Sequence, residues 1–144
     1  GHKGAVVNVS SISAFIAQPR SWTYNTAKGA VRQLTKCAGM DLAPNIRVNS
    51  ISPAGVATDE IYRNGERQGQ TRQDVLNRPA PEHMLNRIIL PEECASAIVF
   101  LLSDDAVAIT ASDLPVDMGY CAAGPGGNPP PGMGASLTDY VGTD

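Results

Sequence analysis

Three residues near the start of the chain have the types and spacing for proton transfer. Tyr24 and Lys28 are four residues apart, and Ser11 comes thirteen residues before the tyrosine. On a helix, positions i and i+4 share one face, so the phenol and the ammonium reach the same small volume. A tyrosine is a poor base at neutral pH unless a nearby cation stabilises its anion. Tyr24 would then move a proton on or off a substrate oxygen that Ser11 holds by a hydrogen bond.

The same spacing also arises by chance in helices whose lysine extends into solvent. The neighbouring segments therefore decide the interpretation. Four motifs occur in order at residues 4–11 (GAVVNVSS), 24–28 (YNTAK), 46–58 (IRVNSISPAGVAT) and 113–120 (DLPVDMGY). Together they resemble the C-terminal half of the short-chain dehydrogenase/reductase family, over residues 1–121.

The resemblance implies an NAD- or NADP-dependent oxidoreductase that acts on small alcohol or carbonyl substrates. The implied fold class is α/β, the C-terminal part of a Rossmann-type doubly wound parallel sheet with flanking helices. By the same resemblance, Ser11 orients the substrate and Tyr24 is the catalytic acid/base. Lys28 stabilises the tyrosine's anion and binds the nicotinamide ribose.

A second group of residues resembles the family's nicotinamide-binding loop, where Val56 offers backbone groups and Thr58 a hydroxyl. The predicted cofactor-binding residues are Tyr24, Lys28, Pro53, Gly55, Val56 and Thr58. The family usually has glycine directly after the proline, whereas this chain has Ala54. If a positive φ is needed there, Ala54 would be strained or the loop would shift. Ala111 and Met118 are milder departures at other common glycine positions.

The chain has no glycine-rich turn of the Gly-x-x-x-Gly-x-Gly or Gly-x-Gly-x-x-Gly type that opens a helix. A dinucleotide needs such a turn for close backbone approach to its pyrophosphate and for the helix N-terminus beneath it. We therefore expect the phosphate-binding half of the fold to be absent, and NAD and NADP remain alternatives.

Three functional classes follow from these motifs. The first is the oxidoreductase described above, and the second is a truncated, non-catalytic remnant that acts as a binding or dimerisation module. An epimerase of the related extended group uses the same tyrosine and lysine, but residues 114–120 (LPVDMGY) disfavour it.

Composition narrows the partners and the location. A net charge of −3 without a basic stripe argues against nucleic acid. The apolar runs at 5–9 and 95–102 are too short to span a bilayer, and the first residues do not resemble a secretion signal, so a cytoplasmic protein is expected. Cys37, Cys94 and Cys121 are distant from one another and are expected to be reduced. No metal site is expected, and His2 and His83 are assigned exposed or loop positions.

Hydrophobic periodicity predicts the elements that must carry these residues. Strands are expected at about 4–10, 46–51 and 112–116, and helices at about 22–42 and 91–102. Residues 57–89 read as an excursion with one or two short helices, which in the family covers the substrate. Residues 117–119 read as a turn. The predicted domain is 1–121, followed by a Gly/Pro-rich disordered tail at 122–144. By resemblance, the long helix contributes to a dimer interface, so a homo-oligomer is expected.

Overall fold

The computed structural model describes residues 4–122. They form two compact units, one of residues 4–54 and 92–116 and the other of residues 55–91 and 117–122. The predicted tail at 122–144 lies outside the described residues apart from Ala122.

The first unit is built on a three-stranded parallel sheet with the order β1-β2-β3. The strands are β1 (Gly4–Val9), β2 (Ile46–Pro53) and β3 (Asp113–Val116). Val6 pairs with Val48 and Ile51 pairs with Leu114, which sets the register of the two ladders. A parallel neighbour requires a long crossover, and α1 (Trp22–Leu42) provides it between β1 and β2. The predicted α/β architecture with a parallel sheet is confirmed.

Small residues form the buried positions of α1. Thr35 and Gly39 are buried, whereas Leu34 and Met40 are exposed. The larger apolar residues that give the helix its period therefore do not supply its most buried contacts. Small side chains allow a close approach of the helix to its neighbours, and this approach decides which positions lose contact with water.

The other helix of this unit, α4 (Pro91–Leu102), packs through Leu101 against Ile51 and Ala106. Its last carbonyl groups have no partner within the helix, and a side chain from the sheet binds them. The guanidinium of Arg47 donates to the carbonyl oxygen of Leu101 in the last turn and to that of Ser103 just after the helix, each at 2.8 Å. The sheet and the end of α4 are thus joined by charged hydrogen bonds.

The second unit contains two short helices, α2 (Asp59–Arg67) and α3 (Arg72–Asn77), as predicted for this excursion. Its apolar core consists of Ala57, Val75 and Ile88. A parallel bridge between Val56 and Ile89 holds the two ends of the excursion together.

His83 is buried in the second unit, with 2% of its surface exposed. The histidine lies in a turn segment, which agrees with the expectation of an exposed or loop position, and it is buried there. Its Nδ1 lies 2.6 Å from the carbonyl oxygen of Arg87 and its ring packs edge-on against Tyr120. Because a carbonyl only accepts, Nδ1 carries the proton. Tyr120 is distant from His83 in the sequence, so the residues around the histidine do not reveal this contact.

No helix among residues 4–122 combines the length and the hydrophobicity needed to cross a membrane.

Candidate active site

Ser11 is placed at the carboxyl edge of the parallel sheet. β1 ends at Val9, and the N–H of Ser10 extends the pairing by donating to the carbonyl oxygen of Ile51 at 2.8 Å. Ser11 then caps a short 3-10 turn, because the N–H of Ser13 donates to its Oγ at 3.1 Å. The Ser11 oxygen thus accepts one hydrogen bond, and a hydroxyl carries one O–H donor besides.

Tyr24 and Lys28 lie together on the first two turns of α1. The Nζ of Lys28 is 5.6 Å from the centroid of the Tyr24 ring. The two side chains thus share one face of the helix, as their spacing predicts. Tyr24 is exposed to solvent over 47% of its surface. Solvent therefore reaches the tyrosine residue.

Lys28 is tied to the end of β1 at two points. Its Nζ donates to the carbonyl oxygen of Val9 at 3.0 Å, and its own carbonyl oxygen accepts from the Ser10 hydroxyl at 2.9 Å. An ammonium has three N–H groups, so the bond to Val9 leaves two for other acceptors. Sequence reasoning did not identify Ser10, although its place beside Ser11 at a strand end was visible.

The segment between Ser11 and Tyr24 is fixed to α1 by two side chains of that helix. The amide of Asn25 donates to the carbonyl oxygen of Gln18 at 3.1 Å. The guanidinium carbon of Arg32 lies 4.0 Å from the ring centroid of Phe15, a cation–π contact. These contacts set the path of the segment that joins the serine to the tyrosine.

The predicted cofactor-binding residues are divided between the two units. Pro53 ends β2, where it pairs with Val116 at the carboxyl edge of the sheet in the first unit. Ligands of open parallel sheets bind at this edge. Gly55, Val56 and Thr58 belong to the second unit.

Within the second unit, Val56 and Thr58 keep polar groups available. The bridge to Ile89 uses the carbonyl of Gly55 and the N–H of Ala57. Among the described residues, the N–H of Val56 has no hydrogen-bond acceptor. The side chain of Thr58 precedes α2 without a cap hydrogen bond. One N–H and one hydroxyl of this loop thus have no hydrogen-bond partner within residues 4–122.

The anticipated backbone strain is absent at Ala54 and present at the two milder departures. Ala54 does not have a positive φ, so the condition for strain is not met there. Ala111 and Met118 have φ values of 55° and 51°, in the left-handed region that favours glycine. Replacement of the usual glycine therefore strains the chain on either side of β3 and leaves the loop after Pro53 unstrained.

Asp117 has a structural role in the turn after β3. Its two carboxylate oxygens accept from the N–H groups of Gly119 and Cys121, each at 2.9 Å. Both oxygens are engaged by the backbone, which confirms the predicted turn. In residues 4–122, no cluster of three His, Cys, Asp or Glu side chains has an arrangement suited to a metal ion.

Comparison with known proteins decides the family of the chain. The family model described as enoyl-(acyl carrier protein) reductase, a short-chain dehydrogenase/reductase model, matches residues 1–121. The chain belongs to the short-chain dehydrogenase/reductase family. Cyclopentanol dehydrogenase of Comamonas testosteroni is 40% identical over 128 residues, which cover 84% of this chain and 47% of that protein.

Two further relatives also match most of this chain over about half of their own length. Carbonyl reductase [NADPH] 2 of Sus scrofa is 35% identical over 125 residues, covering 85% of this chain and 49% of the relative. The structure of aldohexose dehydrogenase from Thermoplasma acidophilum superposes with a TM-score of 0.79 at 33% identity, over 90% of this chain and 52% of that one. The chain therefore spans about half the length of the relatives it matches.

Proposed function

We propose that the protein carrying this chain is an NAD(P)-dependent oxidoreductase that interconverts a secondary alcohol and a ketone. The observation that carries the proposal is the approach of the Lys28 ammonium to the Tyr24 ring at 5.6 Å, beside a serine at the sheet's carboxyl edge. The relatives named above are a cyclopentanol dehydrogenase and a carbonyl reductase, which supports a small alcohol or carbonyl as substrate.

In the reducing direction, Tyr24 gives its phenolic proton to the carbonyl oxygen while the carbonyl carbon is reduced. Ser11 donates a hydrogen bond to the same oxygen and places it for the transfer. The ammonium of Lys28 stabilises the phenolate that Tyr24 becomes. Because the tyrosine is half exposed, water returns a proton to it after each turnover. Oxidation of the alcohol follows the same steps in reverse.

The nicotinamide group supplies or accepts the hydride when it is bound. On this chain, Lys28 has N–H groups for the ribose, and Val56 and Thr58 have the free N–H and hydroxyl described above. Pro53 and Gly55 complete the proposed loop. Each unit thus offers polar groups of the kind that a nicotinamide nucleoside needs, and the sequence offers no glycine-rich turn for the pyrophosphate. NAD and NADP therefore remain alternatives.

The first test is a titration of the purified chain with NADH and NADPH, followed by nicotinamide fluorescence together with intact mass. Saturable binding supports a functional cofactor site. Absence of binding up to millimolar cofactor would favour the alternative of a non-catalytic binding or dimerisation module.

The second test is Tyr24→Phe in the protein that contains this chain. Loss of the acid/base group lowers kcat by about 10²–10⁴-fold while circular dichroism stays unchanged. Tyr62→Phe, which removes a phenol hydroxyl from α2, is the matched control and keeps turnover. Substantial residual turnover in Tyr24→Phe would contradict the role of the tyrosine.

We further propose that residues 1–121 form one family domain that self-associates through α1. The helix exposes large apolar side chains, with Met40 74% and Leu34 58% exposed. Burial of such side chains against a second copy removes apolar surface from water. Sedimentation of the wild type should show a dimer or larger species, and Leu34→Lys should shift it to monomer. A monomeric wild type would contradict this.

A further inference from the structure

Two consecutive residues at the end of β1 bind the two ends of Lys28. Val9 accepts from the Nζ atom at 3.0 Å, and the hydroxyl of Ser10 donates to the backbone carbonyl oxygen at 2.9 Å. One contact holds the tip of the side chain and the other holds its backbone origin. The path of the side chain between the strand and the tyrosine is therefore defined at both ends.

Ser10 is itself held rigidly. Only 2% of its surface is exposed, and its N–H donates to the carbonyl oxygen of Ile51 in the sheet at 2.8 Å. Water does not compete effectively for a buried hydroxyl, so its hydrogen bond to Lys28 persists. The sheet thereby fixes the donor that holds this turn of α1.

The residue that follows Lys28 has no side chain that could contribute to this tie. A Cβ atom added to the next residue, Gly29, would meet no atom within 4 Å. A helical carbonyl that already serves the backbone keeps a second lone pair, and Ser10 uses it on Lys28. The hydroxyl of Ser10 thus supplies a specific contact between the end of β1 and the turn that carries Lys28.

We propose that Ser10 is a positioning residue that sets the reach of the Lys28 ammonium toward Tyr24. The inference rests on the proposed function, because it assigns a further residue to the same site. Ser10 acts through Lys28 and takes no part in proton or hydride transfer.

A second tie between the same strand and helix provides a matched control. The side-chain amide of Asn8 donates to Thr35 Oγ1 at 3.0 Å. Thr35 lies seven residues after Lys28 on α1. Thr35→Val therefore removes a buried hydroxyl contact between β1 and α1 without touching the turn that carries the lysine.

The experiment measures the accessibility of the Lys28 ammonium directly. The whole chain is treated briefly with acetic anhydride, and mass spectrometry gives the ratio of acetylation at Lys28 to that at the exposed Lys36. Ser10→Ala should raise this ratio about five-fold, the equivalent of one buried hydrogen bond. Thr35→Val should leave the ratio unchanged. Ser10→Thr, which retains a hydroxyl, should keep the ratio of the wild type.

Two outcomes would overturn the proposal: an unchanged ratio in Ser10→Ala, or an equal rise in Thr35→Val, which would indicate general loosening. If Ser10→Ala lacks helical circular dichroism, Ser10→Cys replaces it, since its thiol is a weaker donor. The ratio should then rise by a smaller factor, and no rise would overturn the proposal.

Failure of this inference is distinguishable from failure of the proposed function. The labelling needs neither cofactor nor turnover, so an inactive Tyr24 site leaves its result valid. In a protein with measurable turnover, Ser10→Ala should also lower kcat about five-fold, the same factor as the labelling shift. Thr35→Val should leave kcat unchanged.

Discussion

Gly39 of α1 lies so close to Ala111 that a Cβ built on the glycine would be 2.9 Å from the alanine Cβ. The same atom would be 3.0 Å from the Cα of Ala111, so a side-chain rotation cannot relieve the contact. The N–H of Ala111 also donates to the carbonyl oxygen of Val48 at 2.8 Å, which fixes the alanine to β2. The absence of a side chain at Gly39 therefore sets the approach of α1 to this segment.

Gly39→Ala should lower the free energy of unfolding by about 1–3 kcal/mol, because it overpacks this contact. Urea denaturation measures the change. Gly29→Ala is the control on the same helix, where open space and better helix propensity should raise stability by about 1 kcal/mol. Equal effects of the two substitutions would contradict the packing argument.

Glycine at the two strained positions should stabilise the protein. Ala111→Gly and Met118→Gly each relieve a left-handed backbone, with an expected gain of about 1 kcal/mol. Ala54→Gly is the control, and it should lower stability slightly, because it gives the unfolded chain more freedom without relieving strain. Thermal unfolding of the three variants decides the matter, and a gain confined to Ala54→Gly would reverse the assignment of strain.

The thiol of Cys94 should react with an alkylating reagent more slowly than the thiol of Cys37. Burial raises the pKa of the Cys94 thiol, and the charge of Glu93 raises it further, whereas Cys37 is exposed. Iodoacetamide at pH 8 should therefore modify Cys37 first, because the thiolate is the reactive form. Peptide mass spectrometry gives both rates, and preferential labelling of Cys94 would refute this order.

The raised pKa of Cys94 also predicts a pH effect on stability. Above the ordinary pKa of 9.0, the Cys94 thiol of the unfolded chain releases its proton while that of the folded chain retains it. The free energy of unfolding therefore declines as the pH rises from this value through the raised pKa of the folded chain. Urea denaturation at pH 7 and pH 10 should show the decline in the wild type and a smaller one in Cys94→Ala. Cys37→Ala serves as the control and should match the wild type.

Asp74 should stabilise α3 at neutral pH. Its carboxylate accepts from the Thr71 hydroxyl at 2.7 Å and from the Thr71 N–H at 2.8 Å, and these bonds lower the pKa of Asp74. The stabilisation is present above the ordinary pKa of 3.8 and is lost as the pH falls through the lower folded value. Asp74→Ala should speed amide hydrogen exchange in α3 at pH 7.

Thr71→Ser is the control for this cap, since it keeps the hydroxyl and should leave exchange in α3 unchanged. If the wild type and Asp74→Ala exchange at the same rate at pH 7, the capping box does not stabilise this helix.

The sequence by itself determined the order of the elements and the residues that lie together locally. The bounds of α1 match the prediction because the apolar period and Pro44, which follows the helix in the sequence, are local signals. The i, i+4 spacing brings Tyr24 and Lys28 to one face. The position of Ser11 at a strand end follows from the preceding apolar run.

Only the tertiary structure decided the contacts between distant segments. Tyr120 packs against His83, and Gly39 faces Ala111. The hydroxyl of Ser10 donates to the carbonyl oxygen of Lys28. Backbone strain is likewise found at Ala111 and Met118. It is not found at Ala54, the residue that follows the proline of the motif. The physical reason is that such contacts and dihedral angles depend on how helix and sheet approach each other, which periodicity along one segment does not specify.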